Sequence, residues 1–128
     1  MIQKNTKLVV ADNSGAKFAY CIHNLSKPNS RYAFIGDVLL VSVKQLRVRR
    51  RYASKIKKGE LAYALVIRSN IFSNYYFGDR IKYFEPNVIL FYKKTYKLIG
   101  TRIFGFLPAS FRYSQFLRLL FICTGSAV

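Results

Sequence analysis

The chain has 128 residues, a formal charge of +17 from 22 Lys and Arg against 5 Asp and Glu, and 52% hydrophobic residues. That much apolar content excludes a disordered basic tail, and the excess positive charge, spread over a folded surface of about 7,000 Å², calls for a polyanionic partner. Cys21 and Cys123 are too far apart for a Cys-x-x-Cys pair and could form at most one disulfide, so a reducing compartment is expected.

The longest apolar stretches, residues 87–92 and 116–123, fall well short of the roughly 18–20 residues of a membrane span, and Arg118 interrupts the second. Residues 1–7 lack the apolar core of a signal peptide and the Arg and Ser richness of a transit peptide. The protein is therefore expected to stay where it is made or to have lost a presequence.

Period-two alternation begins at residues 17–23, which predict a half-buried strand with Phe18, Tyr20 and Ile22 on one face and Lys17, Ala19, Cys21 and His23 on the other. Residues 37–43 and 61–68 carry Val, Leu and Ile on both faces, as strands covered on both sides or curved into a small barrel would. Residues 80–84 and 87–92 add two more strands. The turns between them contain Asp12-Asn13-Ser14-Gly15, Gly36-Asp37, Lys58-Gly59-Glu60, Phe77-Gly78-Asp79 and Glu85-Pro86-Asn87. Five or six short strands at this spacing predict a compact all-β barrel. After Gly100 the pattern changes: Pro108 suits the first turn of a short helix reaching Phe111 and Arg112, and residues 116–123 fit strand or helix equally well. Without repeat or linker, residues 1–128 are expected to form a single domain.

The densest chemical signal is residues 44–58, where Lys44, Arg47, Arg49, Arg50, Arg51, Lys55, Lys57 and Lys58 occur without an acidic residue. Such a run can be a solvated loop, but on a chain of this charge it is expected to contact nucleic-acid phosphates, which Arg binds in bidentate fashion with release of counterions. Most of the 21 Phe and Tyr are expected in the core or against cationic stems. Tyr75 and Tyr76 are the candidates for stacking on unpaired bases, a mode that favours RNA.

Catalysis finds no set of residues to carry it. Asp12, Asp37, Glu60, Asp79 and Glu85 all sit in predicted turns, His23 is the lone histidine, and Ser54 and Cys21 have no evident base and acid partners. The segment Gly100-Thr101-Arg102-Ile103-Phe104-Gly105 has neither dinucleotide-loop nor phosphate-loop glycine spacing. No metal site and no cofactor are expected.

Several segments in order resemble the universal large-subunit ribosomal protein number fourteen family. They are Met1-Ile2-Gln3, Val10-Ala11-Asp12-Asn13-Ser14-Gly15-Ala16-Lys17, Cys21-Ile22, Arg31-Tyr32-Ala33, Ile35-Gly36-Asp37, Ser42-Val43-Lys44, Lys57-Lys58-Gly59, Ala64-Leu65-Val66-Ile67-Arg68 and the segment from Gly100 to Gly105. The resemblance runs from Met1 to about Arg118. It implies a small five-stranded β-barrel with a projecting β-ribbon and short C-terminal helical turns. It further implies a non-enzymatic constituent of the large subunit that binds large-subunit rRNA, touches neighbouring large-subunit proteins, joins small-subunit rRNA in an intersubunit bridge and receives a factor that silences subunit joining.

On this chain the expected RNA-facing residues are Lys17, Lys44, Arg47, Arg49, Arg50, Arg51, Lys55, Lys57, Lys58 and Arg68, and the expected intersubunit or factor interface is Thr101, Arg102 and Arg118. The family usually has a shorter stretch, with Pro and Gly, where this chain carries Arg49-Arg50-Arg51-Tyr52. Abundant Phe, Tyr, Ile, Lys and Asn, the products of adenine- and thymine-rich codons, point to a mitochondrial genome, with plastid or bacterial cytoplasm as alternatives. Charge alone would also permit a free basic nucleic-acid chaperone, an architectural nucleic-acid-binding protein, or a peripheral protein on anionic lipid.

Overall fold

The computed structural model describes residues 2–48, 54–70, 85–108, 111–112 and 115–125. Five strands close on themselves: β1 (Lys7–Val10), β2 (Ala16–Asn24), β3 (Val38–Leu46), β4 (Leu61–Arg68) and β5 (Asn87–Phe91). Successive strands pair antiparallel, and the barrel shuts where β1 runs parallel to β5, with Val9 opposite Asn87 and Val10 opposite Val88. The expected all-β barrel is thus present, with its first strand at a place where alternation gives no signal, because four residues of Lys-Leu-Val-Val are too short to show it. The expected strand at 80–84, the ribbon around Phe77 and Gly78, and Tyr75 and Tyr76 lie outside the described residues.

A barrel of five strands has room inside only for compact side chains. Leu8, Val10, Ala19, Cys21, Leu39, Val41, Val43, Ala62, Ala64, Val66, Val88 and Leu90 fill it, and Ile2, Ala33, Ile56 and Ile99 join the same cluster from the loops. The packing decides which face of β2 is buried. Ala19 and Cys21 point in, while Phe18 is half-buried and Tyr20 and Ile22 are exposed. The bulkier row lies outside because two aromatic rings in so narrow an interior would overpack it. Shifts of register between Ala16 and Phe18, Phe18 and Ala19, and Cys21 and His23 give β2 the bends that closure requires.

β4 is buried on both sides, as its dense apolar sequence suggests, and so is β5. Their outward residues Leu65, Ile67 and Ile89 pack in a second cluster with Ala11, Ile103, Leu107, Phe111 and Leu119. β3 differs from the expectation: its inward residues are buried, but Leu40 and Ser42 on the outer side are only half-buried and Lys44 is exposed. Val38 at its start packs against the second cluster, and the cover lessens along the strand toward Lys44.

The C-terminal segment resolves the ambiguity of residues 116–123. Residues 115–118 form turns, Leu119–Ile122 is a single helical turn (α1), and Cys123 bridges Ile103 in parallel. Phe111 and Arg112 lie in a 3₁₀ turn, with the Phe111 N–H donating to the Pro108 carbonyl at 3.2 Å. Both cysteines are free, Cys21 within the barrel and Cys123 half-buried. Burial pushes the Cys21 thiol up, against a smaller opposing effect of Lys4, so it is a packing residue rather than a nucleophile.

Candidate nucleic-acid interface

The turn at residues 12–15 and the segment at 100–105 fold as one unit. Asp12 is buried, and its Oδ1 accepts the Ser14 N–H and hydroxyl, both within 3.1 Å, while its Oδ2 accepts the Leu90 N–H at 2.9 Å. Desolvation by burial raises its carboxyl above the ordinary 3.8, only partly offset by the Ser14 and Leu90 hydrogen bonds and the Arg47 charge. Turn duty is the sequence-based expectation for all five carboxylates. Asp12 does more, since its bond to Leu90 ties the turn to β5. Asp37 accepts the Phe34 N–H at 2.9 Å and Glu60 accepts the Lys57 N–H at 2.9 Å, both within their turns.

Beside Asp12, Asn13 orders the chain around Thr101 and Arg102. Its Oδ1 accepts the Thr101 N–H at 2.7 Å and the Arg102 N–H at 3.2 Å, and its Nδ2 donates to the Thr101 hydroxyl at 2.9 Å. The Phe104 N–H donates to the Ala11 carbonyl at 2.8 Å, and the Ile103 N–H to the Ile122 carbonyl at 3.1 Å. Thr101 and Arg102 stay exposed at the apex, and Arg118 is exposed on the turn before α1. No sequence motif announces Asn13 as a clamp, since an Asn beside Ser-Gly reads simply as a turn residue.

The cations divide into two groups. Lys17, Lys44, Lys55, Lys57 and Lys58 are exposed and make no ion pair with a carboxylate among the described residues. Arg47 and Arg68 are half-buried and engaged within the protein. Arg47 donates from Nη2 to the Val10 carbonyl at 3.1 Å and lies 5.4 Å from the centre of the Phe104 ring. Arg68 donates to the Phe104 carbonyl and packs against Gly105, whose φ of +88° and lack of a Cβ admit the guanidinium. Both arginines therefore brace the 100–105 segment, a role that spacing along the chain could not reveal. Arg49, Arg50 and Arg51 lie outside the described residues.

Among the described residues no cluster of His, Cys, Asp and Glu could hold a metal ion, and no helix is long and apolar enough to cross a membrane.

Barrel and exposed lysines together define a small basic β-barrel protein. A model of the family described as Ribosomal protein L14p/L23e matches residues 1–125, and the chain belongs to that family. It is accordingly a structural constituent of the large ribosomal subunit, located within a ribosome with rRNA and ribosomal proteins of that subunit as its partners, and it is not an enzyme.

Proposed function

We propose that the chain, acting as a single domain over residues 1–128, anchors to large-subunit rRNA through Lys17, Lys44, Lys55, Lys57 and Lys58 together with Arg49, Arg50 and Arg51, and presents Thr101, Arg102 and Arg118 to an intersubunit bridge with small-subunit rRNA. Arg47 and Arg68 contribute by holding the bridge segment in shape. The observation that carries the reading is five exposed lysines without carboxylate partners among the described residues, on a barrel whose 100–105 segment is fixed by Asn13, Arg47 and Arg68. Phosphates supply the missing counter-charge. The same bridge face suits a neighbouring large-subunit protein and a factor that silences subunit joining. The codon-linked composition favours a mitochondrial ribosome over a plastid or bacterial one.

Sedimentation tests it. The chain should remain with large subunits from the mitochondrial fraction through a high-salt wash, and an Arg102→Glu variant should stay on the subunit while reducing the fraction of joined particles. Release into a free pool, or flotation with membranes, overturns the attachment.

A further inference from the structure

Phosphate attachment through lysines leaves the aromatic rings on the outer surface of β1 to β3 without a role. There β2 turns Phe18 and Tyr20 outward, Tyr20 with 38% of its surface exposed, and the register sets Lys7 opposite Tyr20 and Val9 opposite Phe18. Lys7 Nζ lies 3.8 Å from the centre of the Phe18 ring, and Lys17 Nζ lies 5.2 Å from that same centre. Lys44 Nζ is 6.0 Å from the Tyr20 ring. Beside the two rings opens a cleft of about 690 Å³, edged by Lys7, Lys44 and Lys58 and floored in part by Leu46. No carboxylate lines it among the described residues. The adjoining cleft, which runs from Lys17 past Arg47 to Phe104, is lined by Glu85.

Cation–π attraction at exposed sites is modest, so gathering three ammoniums around two rings without a counter-ion leaves uncompensated repulsion. An occupant with negative charges at the edge and a flat apolar face against the rings would relieve it. A carboxylate-rich peptide meets the first requirement and leaves the rings unused. A nucleotide meets both, and the volume lies in the range of small-ligand sites.

We propose that this cleft takes an unpaired nucleotide of rRNA, its base stacked on Tyr20 or Phe18 and its flanking phosphates held by Lys7, Lys44 and Lys58. The inference rests on the rRNA-binding reading above and adds to it a base-dependent contact, with Phe18 and Tyr20 as the stacking residues. Neither ring belongs to the basic run at residues 44–58, and neither is needed inside the barrel.

The test titrates the full chain with two labelled RNA oligomers of equal phosphate number, one unstructured with all bases present and one abasic. Stacking contributes about 5- to 150-fold per base, so the base-bearing oligomer should bind at least fivefold more tightly. The double variant Phe18→Leu, Tyr20→Leu should bind both oligomers equally, at the level of the abasic one. As a measurement that needs no variant, 4-thiouridine in the base-bearing oligomer should photo-cross-link to the peptide containing Phe18 and Tyr20. Equal affinity of the native chain for both oligomers, with cross-links elsewhere, overturns the stacking site and leaves charge-driven rRNA attachment standing. If neither oligomer binds at low salt, both readings fall. A polyglutamate peptide that binds as tightly as the RNA and is weakened by Tyr20→Leu assigns the cleft to an acidic protein segment instead.

Discussion

Asn13 and Thr101, 88 positions apart, are joined by two hydrogen bonds: the Thr101 N–H donates to Asn13 Oδ1 at 2.7 Å, and Asn13 Nδ2 donates to the Thr101 hydroxyl at 2.9 Å. The approach depends on Gly100, where a Cβ would stand 2.7 Å from Asn13 Oδ1 and 3.0 Å from the Asp12 Cβ. Two segments that look independent along the chain are thus halves of one device that fixes where the Arg102 side chain leaves the protein.

Removing the clamp should therefore affect the bridge more than the barrel. Asn13→Ala strips acceptors from the Thr101 and Arg102 N–H groups near the surface, and should cost about 1 kcal/mol of stability, read as a small shift in the urea midpoint, with a larger fall in subunit joining. Asn13→Asp keeps the acceptor and should retain most of both. Equal loss of joining in the two variants would argue against positioning by Oδ1, and unchanged joining in Asn13→Ala would remove the clamp altogether.

Asp12 sets a pH dependence of definite sign. Burial raises its carboxyl above the ordinary 3.8, so the native chain holds the proton where the unfolded chain has already released it. Its contribution to stability is full below about 3.8 and is lost as pH rises through the raised folded value. In Asp12→Asn the amide turns an N–H toward either the Leu90 or the Ser14 N–H, and a buried donor facing a donor should cost about 1–3 kcal/mol. Denaturant midpoints of both proteins from acid to neutral pH should show the native chain's advantage largest in acid and shrinking upward. A gap that widens with pH refutes the assignment.

The barrel interior gives a third expectation. Ala19 is fully buried between neighbouring strands, so Ala19→Leu should destabilise by about 1–3 kcal/mol through overpacking. Tyr20→Leu, one residue on and outside the wall, should leave the melting temperature within a few degrees of the native value. Reversed effects would mean that β2 presents its other face to the core.

That contrast also marks how far the sequence was legible. The positions of β2 to β5, the turns and the two-sided burial of β4 follow from alternation, apolar density and Gly or Asp punctuation, all of which are local, whereas β1 is too short to show alternation and the two-sided burial expected of residues 37–43 is only partial in β3. The inward face of β2 did not follow, because both rows are apolar enough to be buried and only the width of a closed five-stranded barrel selects Ala19 and Cys21 over Phe18 and Tyr20. Arg47 and Arg68 illustrate the same limit at the candidate site. Spacing marks Arg47 and Arg68 only as RNA-facing cations, and it takes the fold to carry the Phe104 carbonyl to Arg68 and the Phe104 ring to Arg47. Lys44, Lys55, Lys57 and Lys58 were legible as surface cations because long charged stems packed this densely along the chain have nowhere else to go.

The attachment and bridge surfaces can be separated by two variants in one experiment. Arg49, Arg50 and Arg51 bring three charges with no carboxylate in residues 44–58 to pair them, and releasing any one phosphate should weaken rRNA binding by about 1 kcal/mol. Changing all three to Gln should therefore lower affinity by about 3 kcal/mol and flatten the salt dependence by roughly three counterions, whereas changing them to Glu should be worse because repulsion from phosphate is added. Arg102 stands at the exposed apex held by Asn13, so Arg102→Glu should leave the salt slope and incorporation into large subunits intact and reduce joining. Incorporation and the joined fraction are read from the same gradient. If the triple Glu variant incorporates normally while Arg102→Glu fails to incorporate, the two surfaces have the opposite roles.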